Sequence, residues 1–170
     1  MIKEQVRRET REALADRFRT AMSRSATGVA IVTTDGPAGR GGITVSSFSS
    51  LSLDPPSALV SIRKDSSTLA LILENGVFAA NILADDQSAL AEVFASPMVS
   101  HESRFSKGAW RVAAAVGGPI LDGAVAHFDF RLAKTFDYGS HTIVIGEAID
   151  AVSHVARPLI YAQRGFHKLP

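Results

Sequence analysis

The chain has 170 residues, of which 46% are hydrophobic and 21% charged, and a formal net charge of +1. This is enough for one globular domain with a real core, and the balanced charge argues against a nucleic-acid or acidic-membrane partner. Cysteine is absent, which excludes disulfides, thiolate nucleophiles and Cys-based metal sites; with no apolar signal core and no bilayer-length run, a soluble cytoplasmic protein is expected.

In chain order, Lys3 to Met22 reads as a helix, with Val6, Leu14, Phe18 and Met22 on one face and charged residues elsewhere. Val29 to Thr34 reads as a buried strand and residues 35–42 as a glycine-rich turn. The hydroxyl-rich run Ile43 to Leu53 follows as a second strand, pairing with the first as a hairpin and stopped by Asp54-Pro55-Pro56. The turn glycines do not fit Gly-x-Gly-x-x-Gly and precede no helix, so a dinucleotide-binding βαβ unit is excluded. Ala58 to Ile62 is a strand. Ser66-Ser67-Thr68 opens a helix through Leu73 that Asn75-Gly76 stops. Val77 to Leu83 is a strand, and Asp85-Asp86 begins a helix to Phe94 or Ala95. Residues 96–120 read as loop, with Trp110 as packing. Gly123 to Thr135 alternates, with Val125, His127, Asp129 and Arg131 on one face and Ala126, Phe128, Phe130 and Leu132 on the other. His141 to Val152 and Leu159 to Phe166 close the chain as strands. These elements predict a mainly β protein, a β-barrel with an N-terminal helix and short accessory helices.

Four segments carry chemistry that composition does not explain. Strand alternation along Thr44-Val45-Ser46-Ser47 puts hydroxyls and backbone N–H groups where a polar ligand would lie, or else makes a polar sheet edge. Lys64, Ser66 and Thr68 sit at a helix start, where unpaired N–H groups favour a phosphate; Ser66 or Ser67 as a simple cap is the alternative. Asn81 and Gln87 offer donors and acceptors to a flat heterocycle, or serve turns and caps. Gly139-Ser140-His141 is a turn whose histidine touches a ligand or is structural. Ser140 and His141 are adjacent and point apart, so no Ser-His-Asp triad forms, and His101, His127, His154 and His167 lack metal-ligand spacing.

The order of these motifs is more specific than any one of them. Thr27-Gly28-Val29-Ala30-Ile31-Val32-Thr33-Thr34, then Thr44 to Pro56, then Asn81-Ile82-Leu83-Ala84 with Gln87, then Arg104-Phe105, then Gly139-Ser140-His141-Thr142-Ile143-Val144-Ile145-Gly146 resembles the short-chain flavin reductase family. These are the reductase components of two-component flavin-dependent monooxygenases. The resemblance runs from about Phe18 to Leu169.

The resemblance implies a single flavin reductase domain over 1–170, with the helix at 1–22 and an FMN-binding split β-barrel at 23–169. It implies FMN or FAD as cofactor, NADH as the preferred donor with NADPH as the alternative, and a homodimer whose reduced flavin diffuses to a partner monooxygenase. By the same resemblance, Thr44, Val45, Ser46, Ser47, Ser61 and Ile62 lie along the flavin, and Lys64, Ser66 and Thr68 hold its phosphate. Asn81, Leu83, Ala84 and Gln87 line its remainder, and Phe105 lies close to it. Gly139, Ser140 and His141 match the family's Gly-Asp-His motif, linked to NAD(P)H. Hydride transfer between cofactors needs no acid or base from the protein, in keeping with the absence of a catalytic dyad. Two departures stand out: Ser140 replaces the family's usual Asp, losing a charge, and Phe130 replaces a frequent Cys. A flavoprotein with tightly held flavin and a non-enzymatic flavin-binding module are the competing readings.

Overall fold

The computed structural model describes residues 2–112 and 117–169, with side chains from Thr10 onward. A helix, α1 (Ile2–Met22), precedes five strands: β1 (Thr27–Gly28), β2 (Ala30–Thr34), β3 (Gly41–Val45), β4 (Ser49–Leu53) and β5 (Pro56–Arg63). Then come α2 (Ser67–Asn75), β6 (Val77–Ile82), α3 (Ser88–Ala95), α4 (His101–Phe105), β7 (Trp110–Arg111) and β8 (Ile120–Leu121). Two long strands, β9 (Ala126–Tyr138) and β10 (His141–Ser153), and a short pair, β11 (Leu159–Ala162) and β12 (Gly165–Lys168), complete the chain. No helix among the described residues is long and apolar enough to cross a membrane.

Seven strands form an antiparallel sheet in the order β3-β2-β6-β9-β10-β5-β4. A second sheet, β1-β11-β12, covers one end. The expected mainly β class and the β2–β3 hairpin are both present. The strand ladder itself does not close, because no pairing joins β3 to β4 or β5.

Strand β2 is buried along its whole length, since each face meets a different core. Ala30 and Val32 join Val45, Val60, Ile62, Ile72, Phe78, Phe130 and Val144 inside the curled sheet. Val29 and Ile31 face a second cluster with Leu83, Ala91, Phe94, Leu121 and Leu159 under α3. Packing is close at Gly41 and Gly42, where an added Cβ would lie 2.7 Å from Leu71 and 2.6 Å from Phe94. These glycines belong to β3 and not to the preceding turn: they let α2 and α3 press onto the strand backbone.

Other expectations need correcting. The hydroxyl-rich run is two strands, broken at Ser46–Phe48, because β3 and β4 lie on opposite edges of the sheet. Helix α3 starts at Ser88 and not at Asp85, whose carboxylate pairs with Arg157 at 3.1 Å. Leu159 to Phe166 is a hairpin, with Ala162 opposite Gly165. The segment read as loop over 96–120 contains α4, β7 and β8; its residues 113–116 lie outside those described. By contrast α2 ends as expected, with Gly76 left-handed at φ 69° and its N–H bonded to the Ile72 carbonyl.

The alternation of β9 is as read, but both faces are covered from Ala126 to Phe130, beyond which the strand is mostly exposed. Phe128 and Phe130 enter the inner core, while Asp129 and His127 are buried on the reverse face, beside Gly117 and Arg111. Asp129 is 1% exposed and its Oδ1 has no hydrogen-bond partner. Burial, and then the nearby Asp150, raise its carboxyl from 3.8 to about 6, against a smaller opposing pull from Arg111. The folded state therefore binds more protons than the unfolded chain between those values, and this contribution to stability fades as pH rises through about 6. Asp129→Asn removes the buried charge and is expected to add about 3 kcal/mol of stability at pH 7.5 and little at about pH 3, below both values. Urea melts at both pH values test this; a pH-independent effect would show that Asp129 is not the titrating group.

Candidate functional site

The two edges of the main sheet meet where the chain crosses between them. β4 covers β5 only as far as Leu59, opposite Ser49. Beyond it, the Ser47 hydroxyl donates to the Ser61 carbonyl at 2.9 Å and accepts the Ser61 N–H at 3.1 Å. One side chain thus replaces a rung of the ladder. On the β3 side, the Thr44 hydroxyl donates to the Ala91 carbonyl of α3 at 2.7 Å. Val45 and Ile62 point inward to the core, at 8% and 2% exposure, and Ser46 stands in solvent.

α4 holds the outer edge of β3. Arg104 is buried and donates from Nη1 to the Gly42 carbonyl and from Nη2 to the Ser96 carbonyl, both at 2.7 Å. The Gly42 N–H donates to His101 Nδ1 at 3.4 Å, and His101 Nε2 lies 2.9 Å from the Ser67 hydroxyl. With Nδ1 accepting, Nε2 carries the ring proton and donates to Ser67. Burial, and then Arg104, lower the His101 pKa and keep the ring neutral. Phe105 packs edge-on against Phe94 and Trp110, and the Arg40 guanidinium lies 5.5 Å over its ring.

At the end of β5, two candidate groups come together. The Lys64 N–H donates to the Ser140 carbonyl at 3.0 Å, and Arg63 pairs with His141 across the β5–β10 ladder. The Lys64 ammonium is 3.2 Å from Asp137, whose carboxyl is held below the usual range by the Thr142 hydroxyl and by Lys64. Ser140 and His141 do not point apart as expected: Ser140 lies in the turn before β10, which Gly139 enters at φ 54°, and its Oγ is 2.9 Å from His141 Nδ1. Ser66 occupies the cap position of α2 but makes no side-chain cap bond, so its hydroxyl is uncommitted; Thr68 is buried within the first turn.

The Asn81 group lies deeper. Asn81 is fully buried; its Nδ2 donates to the Ile31 and Pro119 carbonyls, and its Oδ1 accepts the Leu121 N–H at 2.8 Å. Gln87 accepts from the Ala84 N–H and donates to the Asp122 carbonyl. Leu83 and Ala84 are buried between them. These residues fix the floor on which β2, α3 and the 119–122 segment sit.

A cleft of about 630 Å³ opens beside the crossing, lined by Ser46 and Ser47 together with Arg19, Thr27, Tyr161 and Arg164. Arg19, Tyr161 and Arg164 carry no signal of this cleft in the sequence: Arg19 looks like one more charge on an exposed helix, and Leu159 to Phe166 looks like one continuous strand. His101 likewise carries no signal of its role. The signal for the turn was Gln163-Arg164-Gly165 between two apolar pairs.

Together these features define a mainly β scaffold whose sheet edge presents hydroxyls, backbone amides and cations around an open cleft. Residues 22–170 match the model of the flavin reductase like domain. The FMN reductase (NADH) RutF of Ancylobacter novellus is 40% identical over 153 residues, covering 89% of this chain and 83% of the relative. Among solved structures, BorF, the flavin reductase component of a bacterial two-component tryptophan halogenase, superposes with a TM-score of 0.86 at 34% identity, covering 92% of this chain and 98% of that one. The NADH:FAD oxidoreductase SgcE6 of Streptomyces globisporus, in complex with NAD and FAD fragments, gives 0.86 at 29% identity, covering 92% and 93%. The chain belongs to the flavin reductase like family.

The buried anchor at Arg104 can be tested directly. Arg104→Met keeps the apolar stem and removes both carbonyl bonds, and is expected to cost about 3 kcal/mol of stability in urea denaturation. A loss below about 0.5 kcal/mol would mean that the β3 edge does not depend on α4.

Proposed function

We propose that this protein is an NADH-dependent flavin reductase that binds FMN or FAD reversibly and supplies reduced flavin to a separate monooxygenase. The observation that carries this reading is the Ser46–Ser47 crossing, where polar groups at a sheet edge open into a cleft and are not enclosed by the fold. The cleft volume lies within the range of small-molecule sites, and its lining of hydroxyls and arginines fits a phosphorylated, hydrogen-bonding ligand. A bound flavin supplies the redox chemistry by accepting hydride from the nicotinamide.

The chain's own groups bind and orient. Thr44, Val45, Ser46, Ser47, Ser61 and Ile62 form the wall along the flavin, and Phe105 closes one side. Lys64, with the uncommitted hydroxyl of Ser66 and with Thr68 behind it, receives the phosphate. Asn81, Leu83, Ala84 and Gln87 act through the floor they hold. Gly139, Ser140 and His141 receive the nicotinamide nucleotide; their position beside Lys64 supports this assignment.

The same reading makes the protein a homodimer with one flavin reductase domain per chain. Leu14, Phe18 and Met22 on α1 are 57%, 65% and 54% exposed, and Leu51 and Leu53 on β4 are exposed as well. A second copy covering these faces would bury the stripe that the helix periodicity predicts. Sedimentation at twice 18.1 kDa is expected, with Phe18→Asp shifting the protein toward the monomer mass; a monomeric wild type would remove this part of the reading.

Steady-state oxidation of NADH in air, saturating in added FMN, FAD or riboflavin, tests the activity. Yellow colour retained through gel filtration, without turnover of added flavin, would instead favour a tightly held cofactor. In the same assay His141→Ala is expected to raise KM for NADH about tenfold, the scale of one lost charge-assisted hydrogen bond, with little change in the flavin KM. An unchanged nicotinamide KM removes His141 from that role.

A further inference from the structure

The two arginines of the cleft are not equivalent. Arg19 pairs with Asp16 on its own helix at 2.6 Å. Arg164 has no ion-pair partner among the described residues. Its backbone is also unusual. The β11–β12 hairpin turns through only Gln163 and Arg164, and both have positive φ, 51° and 63°. Such turns favour Asn-Gly or Gly-Gly, because a Cβ is disfavoured in the left-handed region. Here glycine comes one residue too late, at Gly165, and an arginine occupies the strained position. The turn is also fixed in place: the Gln163 N–H donates to the Ser23 carbonyl, just beyond α1, at 2.6 Å. A free guanidinium is thus held at the cleft at the expense of backbone strain, a pattern associated with ligand clamps.

The phosphate of a flavin mononucleotide is assigned above to Lys64, which lies three residues beyond Ser61 on the β5 side, roughly 10 Å along an extended chain from the crossing. A mononucleotide then has no second anion to meet Arg164, whereas a dinucleotide does. Resting on the reading of Ser46 and Ser47 as flavin contacts, we infer that Arg164 forms an anion subsite for the additional phosphate of a dinucleotide. A guanidinium suits this task, since its paired N–H groups match two phosphate oxygens. FAD and the nicotinamide dinucleotide share this chemistry.

The test is equilibrium binding to the flavin-free full chain. Riboflavin, FMN and FAD are titrated by flavin fluorescence and NAD+ by calorimetry, with wild type, Arg164→Gly and Arg164→Lys. Glycine relieves the turn, so Arg164→Gly is expected to melt no lower than wild type. It is expected to weaken FAD about tenfold and leave riboflavin and FMN unchanged, with lysine restoring part of the loss. Weakened NAD+ with unchanged FAD would uphold the subsite and assign it to the nicotinamide dinucleotide. Unchanged affinity for FAD and NAD+ overturns it, as does an equal loss for every flavin, riboflavin included. A wild type that binds no flavin overturns the flavin reading itself, and that failure shows before any variant is compared.

Discussion

Everything at the site follows from one constraint: the main sheet has two free edges, and the chain must cross from one to the other between β3 and β4. Unpaired N–H and C=O groups on an edge need partners or water. On the β5 side the partner is the Ser47 hydroxyl, which both donates to and accepts from the Ser61 backbone. On the β3 side it is α4, through Arg104 on the Gly42 carbonyl and His101 on the Gly42 N–H. Hydroxyls serve the crossing well because a serine can replace a ladder rung and still face solvent. The serine-rich run is thus a structural requirement of the open edge, and the same requirement leaves polar groups available to a ligand.

This arrangement suits chemistry in which cofactors perform the reaction. A reductase of this type needs two flat ligands held close and then released, with no proton-transferring side chain. Among the described residues His101 is committed to Gly42 and Ser67, and His141 is exposed with the Ser140 hydroxyl 2.9 Å from its Nδ1. β2 lies between two cores, and the Asn81 amide ties Ile31, Pro119 and Leu121 together beside it.

The cores themselves are built by close approach. Gly41 and Gly42 admit Leu71, Phe94 and Phe105 directly onto the β3 backbone, so the helices that line the site register on the strand they support. The reverse face of β9 is covered just as closely, which buries Asp129 without a partner for one oxygen. That carboxyl lies outside the crossing and bears on the stability of the fold, not on the ligand.

The sequence by itself determined the local elements and the family. Periodicity, hydroxyl spacing and the order of motifs are written within short windows, so β2, α2 with its Gly76 stop, β9 and β10 could be read directly. Tertiary structure decided what depends on distant partners. The break at Ser46–Phe48 arises because β3 and β4 join opposite edges, and the Asn81 amide serves Ile31, Pro119 and Leu121 because three separate segments converge on it. Arg164 became visible as a cleft residue only once β11 and β12 paired and placed their turn against the end of α1. Residues within one element advertise their period, whereas groups that meet across the fold carry no mark of one another in the sequence.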